Sequence, residues 1–428
     1  MSPTFHSLSI PNYRVYASGA IVSNVGTWMG RVAQDWLVLT VLTDHSATAL
    51  GVVTGLQFLP FLLLAPFAGM IVDRFPKRRI LFLTQTALLG TALLLAVLTA
   101  TGVVELWHVY ALAFLQGLAT AVDNPARQTF VSEMVETEHL PNAVALNSAS
   151  FNLGRLIGPA AAGLVIAWFG IAPALYANAA TFVFVLVALL RLDTKLLTPS
   201  PRARGKGQIR AGLRYVKGRP DLVLIMALVF VLGTFGMNFQ VTMALMATKV
   251  FDKGPGEYGL LGSIMAIGSL AAALLSARRA RPRLRVLLAA LVGFTLSTAL
   301  LSTAANYVLF AIFLVPTGLS ALTALTTANA MVQVSVDPVM RGRVMALYMA
   351  IFMGGTPFGA PMIGWIGDAW GPRWTIAIGT IAVGLSLVAV ALWFARGQNV
   401  AVTIQTRRHP RLRIQLASSV PTTPEVTK

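Results

Sequence analysis

The stretch Ile80-Leu-Phe-Leu-Thr-Gln-Thr-Ala-Leu-Leu-Gly-Thr-Ala-Leu-Leu-Leu-Ala-Val-Leu-Thr-Ala100 runs without a single charge. About 20 such residues in a helix cross a hydrocarbon core roughly 30 Å thick. Leu222 to Val241 repeats the pattern, and similar runs recur along nearly the whole chain. Of 428 residues, 56% are hydrophobic and 11% charged, whereas soluble domains are about one quarter charged. The reading is an all-α polytopic membrane protein. Spans are expected near 14–42, 48–72, 80–101, 107–131, 142–168 and 171–191. A second set follows near 221–248, 257–277, 286–304, 307–333, 343–367 and 373–395. The first apolar segment is too long for a signal-peptide core and is read as a retained span.

The net charge of +18 raises nucleic acid as a partner, so the positions of the basic residues must decide. They form short clusters between apolar runs, with no RNA-binding signature and no Cys/His metal spacing. Membrane lipid is therefore the expected partner of these charges, and no nucleic acid. With twelve spans, only Lys249, Lys253 and Arg373 fall in loops on one side, while Arg31 and Arg155 lie within spans. The remaining Lys and Arg share the other side, which the positive-inside rule assigns to the cytoplasm together with both termini. The absence of cysteine excludes disulfides and thiolate chemistry. Neither a Walker loop nor an HExxH helix occurs, so no enzyme activity, cofactor or metal is expected.

Residues 1–192 form the expected N-terminal six-helix bundle, 193–220 a basic cytoplasmic linker, 221–396 the C-terminal bundle and 397–428 a disordered cytoplasmic tail. Within the linker, Ile209, Leu213 and Val216 take one helical face and Arg210, Arg214 and Lys217 another. That pattern suits a helix lying on an anionic leaflet, although a merely solvated basic linker explains it equally. The halves are related at a fixed offset. Gly117, Gly154, Gly158, Gly163 and Gly170 align with Gly318, Gly355, Gly359, Gly364 and Gly371, which implies two six-span repeats.

Gly69-Met-Ile-Val-Asp73-Arg74-Phe-Pro-Lys77-Arg78-Arg79 follows the second span. Gly69 suits close helix packing, Asp73 suits a helix N-terminus or an Arg, and the cations suit acids on a neighbouring helix. The spacing resembles the cytoplasmic loop signature of the major facilitator superfamily. That resemblance implies twelve transmembrane helices in two pseudo-symmetric six-helix bundles, with a substrate site between them near the midplane. It gives Gly69, Asp73, Arg74, Arg78 and Arg79, with Asp123 as partner, the role of a conformational latch. The second-half counterpart around Ser276 to Arg285 keeps the charge but lacks the Gly-x-x-x-Asp-Arg pattern.

In the fifth span, Gly154, Gly158, Pro159 and Gly163 resemble the Gly-Pro motif of antiporters, with one residue more before the last glycine. Ordinary small-residue packing explains the same glycines. Asp123-Asn-Pro-Ala-Arg-Gln128 and Arg341-Gly-Arg-Val344, with Pro141 to Asn147 between them, resemble the transmembrane secretion effector branch, which contains enterobactin exporters and macrolide efflux proteins.

Charges inside spans cost about 2.5–3.5 kcal/mol at the bilayer centre and usually face a cavity or partner. Asn24, Thr27, Arg31 and Asp35 form one stripe on the first span; Gln116, Thr120, Asp123 and Arg127 form another on the fourth. Ser148, Asn152 and Arg155 do the same on the fifth. Asp35, with Arg31 and Arg155, is the candidate proton-coupling group, and it is expected to face the central cavity or the fifth span. An i, i+4 structural pair between Arg31 and Asp35 is the competing explanation. Asn24, Thr27, Gln116, Asn152, Asn238, Met349 and Met353 are candidate cavity residues, although a Met stripe is more often packing. The expected function is secondary active export of small amphipathic molecules of drug, macrolide or siderophore type, driven by protons. An uptake permease or uniporter on the same fold is the alternative, and a non-transporting scaffold a remote one. The sequence does not specify the oligomeric state.

Overall fold

The computed structural model describes residues 3–198, 208–279, 282–396, 400–405 and 411–416. Six long helices form the first half: α1 (Pro11–Leu37), α2 (Ala47–Arg74), α3 (Lys77–Ala100), α4 (Leu106–Met134), α5 (Leu140–Phe169) and α6 (Ile171–Arg191). A surface helix, α7 (Gln208–Lys217), precedes the second half. There the first span is broken into α8 (Pro220–Val231) and α9 (Phe239–Leu245), followed by α10 (Pro255–Ala277), α11 (Leu284–Ser302) and α12 (Tyr307–Ser335). The next span is divided at Gly355 into α13 (Pro338–Gly354) and α14 (Thr356–Trp370), and α15 (Pro372–Arg396) is last. Many begin on a proline, whose missing N–H costs nothing in a first turn; Ser46 and Asn306 cap α2 and α12 by accepting from Ala49 and Leu309.

Among the described residues, ten helices are long and apolar enough to cross a membrane. The other two long helices, α1 and α4, carry the polar stripes that lower their hydropathy. The lipid-facing surface is apolar: Leu83, Leu296 and Leu385 are each more than 60% exposed. Trp107, Trp168, Trp370 and Trp374 ring the end where α4 and α15 start and α5 and α14 finish, as interfacial aromatic belts do. That ring marks the far end of the molecule, opposite the basic clusters.

The two bundles repeat one plan. α2 and α3 both pack on α4, as α10 and α11 pack on α12. The backbone repeats as well: Gly170 and Gly371, equivalent in sequence, both turn through positive φ, at 88° and 101°. Any Cβ is strained there. α7 docks on its own half, with Gly212 against the Arg343 backbone, Val216 buried and the Tyr215 hydroxyl donating to Asp337 at 3.2 Å. Of the tail expected to be disordered, Val400–Gln405 and Arg411–Leu416 pair as antiparallel strands β1 and β2. The rest of 397–428 lies outside the described residues.

Candidate transport site and gate

α1 is clasped on two sides by glycines. Gly26 and Gly30 meet Thr181 and Asn178 of α6, while Gly154 and Gly158 of α5 sit against Asn24 and Trp28. A Cβ at Gly158 would come within 2.6 Å of the Trp28 Cβ. This close approach fixes the α1 stripe against α5. The Asn24 amide donates to the Ser150 hydroxyl at 2.9 Å, and Trp28 meets Phe151 edge-on at 5.8 Å. Asn152 donates instead to the Ser148 carbonyl of its own helix. Thr27 and Gln116 are half-buried on α1 and α4.

Arg31 and Arg155 converge on one ring, their guanidinium carbons 5.0 and 5.8 Å from the centroid of Trp28. Among the described residues neither makes an ion pair within 4.0 Å, so the i, i+4 pair between Arg31 and Asp35 is not formed. Asp35 is 3% exposed. Its carboxylate accepts from the Tyr258 hydroxyl of α10 at 3.0 Å and from the Gln240 amide of α9 at 3.5 Å. Asp35, expected to face the central cavity or the fifth span, thus finds its partners on the other bundle and ties the two together.

A second tie lies at the same end. Asp368, in the last turns of α14, accepts from the backbone N–H groups of Ala47 and Thr48 at 2.8 Å and from Ser46 Oγ at 3.1 Å. It thereby caps the N-terminus of α2, where a carboxylate is favoured. Around these ties the bundles meet through small residues. Gly259 packs on the Pro159 carbonyl and Gly163 on that of Pro255; Gly51 packs on the Ala360 carbonyl and Gly364 on that of Ala47. The antiporter-like motif is thus divided: Gly154 and Gly158 hold α1, while Pro159 and Gly163 join the other bundle.

The hydrogen bonds through which Asp35 and Asp368 join the halves all lie at this far end. At the basic end two glycines look onto open space. A Cβ at Gly69 would meet nothing within 4 Å, nor would one at Gly342. Asp73 is half-buried and Arg74 and Arg79 exposed, Arg74 resting over Phe75. Arg78 donates to the Leu189 carbonyl at 2.8 Å, and Lys77 forms a buried ion pair with Glu133 at 2.9 Å. Asp123, expected to face that cluster, is engaged by Arg127, Thr84 and Gln85 at 2.7–2.9 Å. In this conformation the partner of the cluster is Glu133, which the sequence reading missed.

Asn238 also lies elsewhere than expected. The break between α8 and α9 turns it into the second bundle, beside Thr242, Thr298, Thr375 and Thr380, around a crevice of about 10 Å³. A single water has roughly that requirement. The break is braced by Gly355 and Gly359, both packed on Thr234. Met349 is 41% exposed on α13, and Met353 adjoins the contact of Gly354 with Leu62 of α2.

Two six-helix repeats tied together at one end have the architecture of a major facilitator transporter. The fold matches the nucleoside transporter NupG with TM-score 0.67 at 13% identity, over 90% of this chain and 98% of that one. It also matches a D-xylose-proton symporter with TM-score 0.66 at 13% identity, over 90% and 96%. The transmembrane secretion effector family model matches residues 2–418, and the chain belongs to that family. It is 26% identical to the staphyloferrin A transporter of Staphylococcus aureus (strain NCTC 8325 / PS 47), over 89% of this chain and 95% of that protein. It is 27% identical to the multidrug efflux pump Tap of Mycolicibacterium fortuitum, over 87% and 93%. Identity is also 27% with the enterobactin exporter EntS of Shigella boydii serotype 18, over 82% of each chain.

Proposed function

We propose that this transporter exports small amphipathic molecules across the cell (inner) membrane by alternating access, coupled to proton entry through Asp35. The observation that carries the reading is the carboxylate of Asp35, buried in one bundle and hydrogen-bonded to Tyr258 and Gln240 of the other. An ionised Asp35 is the stronger acceptor, so it favours the sealed far end. In a cycle that lets protons enter, Asp35 takes its proton at the parted far end and gives it up to the cytoplasm once that end has sealed, and substrate loading is what then parts the tie. Charge placement puts the basic end, both termini and residues 193–220 in the cytoplasm. The cleft then opens to the cytoplasm in this conformation, ready to load. The names of the exporting relatives support the direction.

Asp35→Asn nearly preserves shape while removing the titratable charge. A resistance and secretion profile of a deletion strain supplies the substrate, and inside-out vesicles then report gradient-driven transport per folded molecule. The Asn variant should still bind substrate yet lose uphill export. Full coupling in that variant would sink the role of Asp35, and gradient-driven movement of substrate out of the inside-out vesicles, rather than accumulation within them, would sink the direction.

A further inference from the structure

A guanidinium in the hydrocarbon region ordinarily has a carboxylate beside it, because bare charge there is costly. This protein places two on facing helices, and among the described residues neither is paired. The guanidinium carbons of Arg31 on α1 and Arg155 on α5 lie 5.0 and 5.8 Å from the centroid of the Trp28 ring. Both side chains are half-buried, and none of their N–H groups is both buried and unpartnered, so their donors are open to a ligand. Asp35 is the one carboxylate in the field of Arg31, and it is drawn toward the other bundle by Tyr258 and Gln240. Asn24 and Asn152 are committed to Ser150 and the Ser148 carbonyl. What the pair lacks is an anion.

We infer that Arg31 and Arg155, with Trp28 between them, form the headgroup subsite for an anionic substrate: a carboxylate-class group attached to an aromatic or apolar body. Guanidinium forks suit planar oxyanions, with two N–H groups donating to two oxygens. Trp28 and Phe151, edge-on at 5.8 Å and the latter 51% exposed, supply an aromatic wall for the adjoining body. The glycine contacts of Gly154 and Gly158 with α1 hold the two cations in register. This assignment rests on the exporter reading for the direction of movement, but the subsite itself needs no gradient.

The test uses the full chain in neutral phosphatidylcholine nanodiscs and three probes of one shape: 1-naphthoate, 1-naphthamide and 1-naphthylmethylammonium. Energy transfer from tryptophan to the naphthalene reports binding. Naphthoate should bind at least about tenfold more tightly than the amide, and the ammonium most weakly. R31Q and R155Q should each reduce that preference, R31K and R155K should keep part of it, and the melting temperature should move little, since each Gln variant removes a cation–π contact with Trp28 but no ion pair. Equal affinities in the parent chain, absence of naphthoate binding, or a preference surviving in the R31Q/R155Q double variant would each overturn the subsite. Anion preference without gradient-driven export would sink the exporter reading alone; export with a preference for the amide or ammonium would sink this inference alone.

Discussion

Replacing Tyr258 with Phe removes one hydroxyl and keeps the ring that stacks on Trp36 at 6.0 Å. That hydroxyl donates to the buried Asp35 carboxylate at 3.0 Å across the two bundles. A hydrogen bond to a charged group contributes about 1.5–3 kcal/mol, and about 1.4 kcal/mol is tenfold in an equilibrium constant. The Gln240 contact, at 3.5 Å, is too long to compensate. Tyr258→Phe should therefore lower the ratio of sealed to parted far ends by about 10- to 150-fold. The chain has no cysteine, so Asp44→Cys and Lys253→Cys, at exposed far-end loop positions, take spin labels cleanly. Pulsed dipolar distances between them should shift from one short population toward longer ones. Combining Tyr258→Phe with Asp35→Asn should add little, because both changes act on one bond. An unchanged distance distribution in Tyr258→Phe, or full additivity in the double variant, refutes the tie.

Asp368→Asn removes the charge that caps α2 from the other bundle and should weaken the same closure by about 0.3–2 kcal/mol; the same labelled pair reads it, and no shift would show the cap to be incidental. Gly259→Ala places a methyl against the Pro159 carbonyl and should disfavour the sealed end by about 1–3 kcal/mol, whereas Gly69→Ala should leave this conformation unchanged. Equal effects of the two on the distance distribution would contradict the asymmetry between the ends. Lys77→Met leaves Glu133 without its buried cation and should cost about 3–5 kcal/mol, seen as a lower melting temperature in detergent; a melting temperature within error of the parent would mean the pair is not structural.

The fold was legible because lipid offers no partner for backbone groups or charges, so span after span must be apolar and helical. The repeat was legible because glycines at helix contacts leave little freedom, as Gly170 and Gly371 demonstrate. Asp35 stood out as a charge where charge is costly, yet its partner did not. Tyr258 lies 223 residues away, and a tyrosine in a span has no pattern that distinguishes a donor from a packing residue. Asp368 reads as an ordinary acid at the end of a span. Asn238 was placed on the wrong side because a face can be read only from an unbroken helix. No proline marks the break near Gly233 and Gly236, which comes from the close packing of Thr234 on Gly355 and Gly359. Arg31 and Arg155 were singled out as cations accompanying Asp35, but their meeting over Trp28 is a matter of side-chain geometry that spacing does not encode.

The polar stripes of α1 and α4 bear on how the chain enters the membrane at all. Neither helix is among the ten that are apolar enough to cross by length and composition, and α1 carries Arg14, Arg31 and Asp35. The helices that bury its polar face, α5 and α6, are synthesised more than a hundred residues later. During synthesis α1 therefore faces a delay in which its charges have no protein neighbour, and stable insertion is predicted to wait for α5. A single cysteine placed in α1 should react with a water-soluble maleimide in a nascent chain ending before Leu140 and be protected in one ending after Arg191. The residues that equip the finished transporter for its cargo thus set the order in which its own helices settle into lipid.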